Sequence, residues 1–231
     1  MRDNLDAYRR CQVFLNYPFD CDFESMAQAM HFCVIAGGLI PVCAKDLSVP
    51  DRPRLEMLVD AISNCQYSAH DLSRFTGMGD RNLARFNMPL ELGMAIFHAV
   101  TTSPLGHCYA IFVPTDHDYH AFVSDLSGLD PICYHNDETE LLSRMCEWLR
   151  RVVQTGAFVD HATSEIMDRY LEFKQRLSRL RASDCLGLPT HDETQEIMYQ
   201  VCAECGWWDW RGTKDGVSQF PPVPLAWRDE H

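Results

Sequence analysis

Long apolar runs are absent from this sequence. Its apolar stretches, such as Ala95–Val100 and Tyr109–Val113, fall far short of the roughly 20 residues that a helix needs to cross a bilayer. A charged segment followed by an apolar one is also missing after Met1, so no secretion or transit signal is indicated. We therefore expect a cytoplasmic protein that makes no contact with a membrane.

Positive charge is scarce as well. Lys and Arg number 20 against 33 Asp and Glu, which gives a formal net charge of −13. A broad negative field repels nucleic-acid backbones and anionic lipids. The composition therefore disfavours a nucleic-acid partner, although a local pair of arginines can still hold a small anionic ligand.

Gly and Pro number only 12 each, which excludes collagen-like and low-complexity chains. The motifs H-E-x-x-H, G-x-x-x-x-G-K-[ST] and G-x-S-x-G are absent, so zincin, P-loop and serine-hydrolase chemistry has no support. What remains is an ordinary globular composition, long enough to bury a large core without a disulfide or a metal.

Cysteine is the one unusual abundance, with 11 residues. Cys202 and Cys205 form a C-x-x-C pair, but the nearby Cys185 and His191 do not match the spacing of a familiar zinc module. We favour thiols borne on a helix there and predict no bound metal. Reduced, buried thiols are likewise expected at the cysteines that lie inside apolar runs, namely Cys33, Cys43, Cys65, Cys108, Cys133 and Cys146.

The first 156 residues alternate between short apolar runs and segments of helical periodicity. Short connections between alternating strands and helices favour an α/β fold, a parallel sheet with helices on both faces. The pattern predicts five strands, at Cys11–Asn16, Leu39–Ala44, Gln66–Leu72, Cys108–Val113 and Pro131–Tyr134. It predicts helices from about Phe23 to the stop at Gly37-Gly38, after Pro53 to Ile62, over Met88–Val100 and over Asp137–Val153.

Residues 157–231 form a predicted C-terminal helical extension. Ser164–Arg181 is amphipathic, and its basic face is either a partner surface or, as we favour, a solvated face. A second helix begins at a Thr190 or Asp192 cap and runs to about Cys205. The segment from 207 to 231, rich in Trp and Pro, is interpreted as irregular chain packed on the body.

Polar residues cluster where the predicted strands end, at positions 16–20, 70–74 and 114–118. A parallel sheet binds its ligand at this edge, near the switch in strand order. Asn16 either lines a pocket or ends its strand. Asp20 either binds a ribose hydroxyl or caps the first helix, a cap that Asp22 could equally provide. His31 and His98 fall inside helices, where we expect packing or solvation without a catalytic role.

Glu91 lies at the start of the third predicted helix. A carboxylate there either complements the positive helix terminus or acts in a site. A capping box is disfavoured, because Glu91 takes the fourth helical position if Asn87 is the cap. Arg74 and Arg85 bracket the preceding loop and either bind phosphate or are solvated.

Three segments, residues 13–20 (VFLNYPFD), 67–74 (YSAHDLSR) and 85–93 (RFNMPLELG), resemble a bacterial family of TIR-like proteins. That family shares one Rossmann-like superfamily with the nucleoside 2-deoxyribosyltransferases. The resemblance covers roughly residues 11–156 and implies a Rossmann-like (flavodoxin-like) sheet of about five strands. In both relatives a glutamate opening the helix after the third strand acts at the ribose anomeric carbon, and Glu91 matches it. Asp71 matches an acidic residue at the end of the preceding strand.

The implied chemistry is cleavage of a C–N glycosidic bond, with Glu91 and Asp71 as catalytic residues. A carboxylate beneath the anomeric carbon stabilises or captures an oxocarbenium-like transition state. Nicotinamide leaves without a strong general acid, whereas a purine needs one, for which His70 or Asp71 is the candidate. We therefore favour NAD as a substrate, without a separate cofactor. The same segments contain the expected substrate-binding residues: Asn16, Phe19, Asp20, His70, Arg74, Arg85 and Asn87.

The expected function is thus a TIR-like nucleotide N-glycosidase acting on NAD or a related nucleotide. The resemblance also implies a bacterial antiviral effector that becomes active as a homo-oligomer. One alternative is a non-catalytic module that binds a nucleotide and reports it to a partner through the C-terminal helices. Another is a nucleoside 2-deoxyribosyltransferase, although Asn87-Met88-Pro89 replaces the Gly-Thr pair that precedes the glutamate in those enzymes.

Overall fold

Strands and helices alternate along the chain in the computed structural model, which describes residues 9–47, 51–74, 86–102, 106–115, 129–153, 161–183 and 188–207. The strands are β1 (Gln12–Asn16), β2 (Ile40–Cys43), β3 (Tyr67–Asp71), β4 (Cys108–Val113) and β5 (Ile132–Cys133). The helices are α1 (Glu24–Ala36), α2 (Arg54–Asn64), α3 (Asn87–Thr101), α4 (Glu138–Val152), α5 (Thr163–Ser183) and α6 (His191–Glu204). A single 3-10 turn, Cys21–Phe23, precedes α1.

The five strands form one parallel sheet in the order β2-β1-β3-β4-β5. This is the flavodoxin-like order, so the α/β fold class predicted from the sequence is confirmed. The chain leaves β1 toward one edge of the sheet for β2 and then returns past it to β3, which makes the β1/β3 boundary the switch point. Asn16 and His70 stand opposite each other there, at the carboxyl ends of the two strands.

The sheet is buried on both faces, as parallel sheets are. Successive residues of β1 point to opposite faces. Val13 and Leu15 belong to a large apolar cluster with α1, α4, α5 and α6. Phe14 packs with residues of α2 and α3 in a second cluster. The sheet therefore forms the middle of three layers.

Two helix ends follow the signals in the sequence. Gly38 adopts a φ of 76° after α1, and the backbone N–H of Leu39 donates to the carbonyl of Val34 at 3.0 Å, which closes the helix as predicted. At the start of α6, the Thr190 hydroxyl accepts from the backbone N–H of Glu193, and the Glu193 carboxylate accepts from the N–H of Thr190. Of the two caps considered, the structure selects Thr190.

The C-terminal helices are part of the main core. The Phe173 ring of α5 stacks on Phe32 of α1 with ring centroids 5.7 Å apart, and Lys174 Nζ donates to Gln28 Oε1 at 2.9 Å. Several cations of the basic face have acidic partners within the protein, such as Arg176 with Glu204. Residues of α5 and α6 share one apolar cluster with the sheet.

None of the helices in the described ranges has an apolar stretch long enough to span a membrane. Three predicted segments lie largely outside the described residues. They are the polar loop at residues 73–85, the short helix or loop at residues 116–129, and the Trp- and Pro-rich segment from 207 to 231.

Replacing Phe173 with Ala tests whether α5 belongs to the core. Phe173 is fully buried, so Phe173→Ala should lower the free energy of unfolding by about 3–5 kcal/mol. Leu171→Ala is the matched control, since Leu171 lies on the same helix and is 50% exposed; its effect should stay within about 0.5 kcal/mol. Urea unfolding followed by circular dichroism measures both variants. An unchanged midpoint in Phe173→Ala would show that α5 does not contribute to the core.

Candidate functional site

A side-chain amide holds the carboxyl ends of β1 and β3 to the start of α3. Asn16 Nδ2 donates to His70 Nδ1 at 3.0 Å and to the carbonyl oxygen of Met88 at 2.9 Å. All three groups are buried. The first turn of α3 is therefore fixed directly over the switch point of the sheet.

The hydrogen bond from Asn16 to His70 continues into a network of buried side chains. His70 Nε2 donates to Ser68 Oγ at 2.8 Å, Ser68 Oγ donates to His107 Nε2 at 2.6 Å, and His107 Nδ1 donates to the carbonyl of Cys65 at 2.9 Å. Only this direction is consistent, because the Asn16 amide nitrogen only donates and a carbonyl only accepts. Burial lowers the pKa of His70 to about 3 and that of His107 to about 4, so both rings are neutral.

His70 is therefore part of the framework of the site. Its side chain is fully buried, and both ring nitrogens are taken up by Asn16 and Ser68. Neither nitrogen is left to protonate a leaving group or to contact a substrate. The expectation that His70 supplies an acid finds no geometric support.

Asp71 is also fully buried, with a protein partner on each oxygen. Oδ1 accepts from the backbone N–H of Ser73 at 2.9 Å, and Oδ2 accepts from the Tyr134 hydroxyl at 2.8 Å. Burial raises the pKa of Asp71 to about 6, although these hydrogen bonds oppose the shift. The carboxylate thus links the end of β3 to the segment that follows β5.

Asp20 and Arg74 form an ion pair that joins the loops after β1 and β3. Arg74 Nε donates to Asp20 Oδ2 at 3.0 Å, and both side chains are mostly buried. Asp20 makes no side-chain cap at the 3-10 turn. Of the two roles considered for Asp20, capping is therefore wrong, and the charge of Arg74 is balanced within the protein.

The other predicted binding residues are more peripheral. Phe19 is 41% exposed and stands edge-on against Tyr17, with Lys45 Nζ 5.0 Å from the Phe19 ring centroid. Asn87 is the exposed first residue of α3. Arg85 lies outside the described residues. The structure thus bonds Asn16 to His70 and pairs Asp20 with Arg74, while Asp71 is bonded to Ser73 and Tyr134.

Glu91 lies on the buried face of α3 and is only 7% exposed. The residue before α3 is Phe86, which has no side-chain acceptor, so Glu91 is the fifth helical residue and closes no capping box. Within the described ranges the Glu91 carboxylate makes no hydrogen bond. Burial raises its pKa to about 7, and only the Arg54 guanidinium opposes this shift. A carboxyl with this pKa can serve near neutral pH as a base, a nucleophile or an acid.

A second polar cluster, at the carboxyl end of β2, was missed by the sequence analysis. A cleft of about 120 Å³ there is lined by residues of α1, α6 and the loop after β2, among them His31, Lys45, His191 and Gln195. His31 was expected to be merely packed or solvated. No local spacing could have signalled the cluster, because its members lie far apart in the sequence.

Cys202 of the C-x-x-C pair lies within α6, as predicted, and Cys205 directly follows the helix. Cys202 is buried and Cys205 partly exposed, and burial raises the pKa of both thiols. In the part of the chain that is described, the only group of three metal-ligating side chains is a different one, which contains His31.

Comparison of the chain with protein-family profiles, curated proteins and solved structures finds no match.

Glu91→Gln should stabilise the protein at alkaline pH. The pKa of Glu91 rises from an ordinary 4.5 to about 7 on folding, so the wild type loses stability as the pH rises through this interval. At about pH 8 the neutral variant should gain about 2–3 kcal/mol in unfolding free energy, and the gain should shrink toward pH 5. Thermal unfolding across pH measures this. Glu56→Gln, at an exposed carboxylate in α2, is the control. If the stability of wild type, Glu91→Gln and Glu56→Gln changes with pH in the same way, Glu91 is not buried as assigned.

Ser68→Ala should interrupt the hydrogen-bond network that joins His70 to His107. It leaves His70 Nε2–H and His107 Nε2 buried without a partner, which costs on the order of 2–4 kcal/mol. Ser178→Ala, on an exposed face of α5, should change little. Urea unfolding measures both variants. If Ser68→Ala and Ser178→Ala unfold at the same urea concentration, the hydrogen-bond network contributes no stability.

Proposed function

We propose that this protein is a TIR-like nucleotide N-glycosidase that cleaves the glycosidic bond of NAD or a related nucleotide, with Glu91 as the catalytic carboxylate. The observation that carries the proposal is the state of Glu91, a buried carboxyl group with no hydrogen bond among the described residues. Burying such a group without a partner costs stability, and proteins concentrate that cost at functional sites. The switch point of a parallel sheet is also where ligands of this fold bind.

The chemistry suits the groups at hand. When the C–N bond breaks, its electron pair goes to the nicotinamide nitrogen and neutralises the pyridinium, so the leaving group needs no proton. The positive charge that develops on the ribose is stabilised by an ionised Glu91. Water then forms the new C–O bond and loses one proton to the solvent. Because His70 is neutral and both of its ring nitrogens are hydrogen-bonded, it cannot protonate a leaving group that requires an acid. This favours a nicotinamide nucleotide over a purine nucleoside.

Asp71 has a supporting role in this proposal. Its two oxygens accept hydrogen bonds from Ser73 and Tyr134, which hold the loop after β3 close to the switch point. The Asp20–Arg74 pair fastens the same loop from the other side. The proposal therefore gives positioning roles to Asp71, Asp20 and Arg74 and reserves the reaction for Glu91.

The non-catalytic module is the second candidate. It is favoured by the cleft beside α1, because residues of α6 form part of its wall and a bound ligand there would contact both the sheet domain and a C-terminal helix. In that case a nucleotide would bind without being consumed. Deoxyribosyl transfer has no corresponding observation in its favour.

A cytoplasmic location and activation through homo-oligomers belong to the same proposal. The location is supported by two buried thiols, because Cys33 Sγ and Cys146 Sγ lie 3.0 Å apart as a hydrogen-bonded pair and not as a disulfide. An antiviral role follows only from the resemblance.

The test is nicotinamide release from NAD by concentrated wild-type protein and by two matched variants. Glu91→Gln should reduce release at least about 100-fold, because it removes the charge that faces the reacting carbon. Glu56→Gln, which removes an exposed carboxylate, should keep wild-type activity. Because Glu91→Gln is expected to stabilise the fold, a loss of activity in this variant would not be caused by unfolding.

Equal release from wild type and Glu91→Gln would remove Glu91 from the reaction. No release from any variant, together with NAD binding to all of them by calorimetry, would favour the non-catalytic module.

A further inference from the structure

We propose that His31, Cys43 and His191 form a binding site for Zn²⁺ or a chemically similar divalent ion, with the Asp46 carboxylate beside His191 as a supporting group. The three ligands lie at the carboxyl end of β2 and on the helices beside it. The inference does not depend on the proposed glycosidase function.

The three ligand atoms lie close enough to surround one ion. One ligand atom from each of His31, Cys43 and His191 lies within 4.8 Å of the other two. Cys43 Sγ is 3.7 Å from His191 Nε2, near the separation of about 3.5 Å for a sulfur and a nitrogen bound to the same zinc.

Each ligand is presented by a regular element or fixed by one. His31 lies within α1, Cys43 is the last residue of β2, and His191 is the first residue of α6. Asp46 is anchored because its Oδ2 accepts from the backbone N–H of Cys43 at 2.6 Å. Three segments separated in sequence therefore converge on one point without long, mobile side chains.

An acidic side chain stands beside the cluster. His191 Nε2 lies 2.8 Å from Gln195 Nε2 and 3.1 Å from Asp46 Oδ1. The Asp46 carboxylate therefore brings negative charge next to the ligand atoms, which favours a bound cation.

The surroundings of His31 are those of a metal-bound imidazole. Its Nε2 is 2.9 Å from the Tyr17 hydroxyl, and its Nδ1 is 3.2 Å from Gln195 Nε2. Whichever nitrogen binds the ion, a polar side chain stands at the other and can fix the ring orientation. The Tyr17 hydroxyl also lies 3.5 Å from Cys43 Sγ, where it can support a metal-bound sulfur.

The ligand set selects the kind of ion. One thiolate and two imidazoles suit zinc and its neighbours, whereas Mg²⁺ and Ca²⁺ take oxygen ligands. The rings of His31 and His191 line the cleft of about 120 Å³, which provides an entry path. A bound ion would tie α6 to β2 across 148 residues of chain and so couple metal binding to folding.

The experiment uses the full chain, stripped with a chelator and then titrated with Zn²⁺ and with Co²⁺. Wild type should bind one ion per chain, show the charge-transfer absorption of a single cobalt–thiolate bond, and melt at a higher temperature with zinc than without. Cys43→Ser and His191→Ala should each weaken binding at least about 100-fold, and Cys43→Ser should lose the cobalt–thiolate band. Asp46→Asn should weaken binding about 10-fold and keep the band.

Cys205→Ser is the matched control, because it removes a partly exposed thiol of the C-x-x-C pair and should leave binding intact. Circular dichroism establishes that each variant is folded, and the melting shift of wild type tests the site even where a variant fails to fold. Wild type that binds no zinc, or binding that is lost in Cys205→Ser and kept in Cys43→Ser, would overturn the proposal.

Discussion

The two hydrogen bonds donated by the Asn16 amide are the constraint on which the candidate site depends. They join the end of β1 to His70 at the end of β3 and to the Met88 carbonyl in the first turn of α3. Because parallel strands place their carboxyl ends at one edge, this single side chain fixes both the switch point and the helix above it. Glu91 lies less than one turn further along α3, so its position over the sheet follows from the same contact.

The polar groups at this edge divide into two kinds. His70, Ser68 and His107 are buried, neutral and bonded to one another, and Asp71 is bonded through both oxygens. Such satisfied groups stabilise the fold and gain nothing from a ligand. Glu91 differs because its carboxyl is buried while no described side chain donates to it. The raised pKa of Glu91 shows that ionising this carboxyl costs free energy in the fold, and the proposed function explains why the group is there.

Much of the fold was predictable from local patterns, and much of the site was not. The strand Cys108–Val113 has the predicted bounds, and the helix predicted over Ser164–Arg181 spans Thr163–Ser183, because periodicity and caps are local signals. The partners of polar side chains depend on tertiary structure. Nothing in the sequence distinguished Asp20 as a cap from Asp20 as the partner of Arg74. The convergence of His31 with His191 depends on the docking of α6 against α1, which no spacing encodes.

The proposed reaction depends on a Glu91 carboxyl that is buried and has no hydrogen-bond donor among the described residues. Carbon-13 NMR of glutamate-labelled protein measures its pKa, and the signal missing from Glu91→Gln assigns it. We expect titration near the raised value of about 7. Titration near the ordinary value of 4.5 would mean that solvent or a charged partner reaches the group, and Glu91 would then lack the buried state on which the proposal rests.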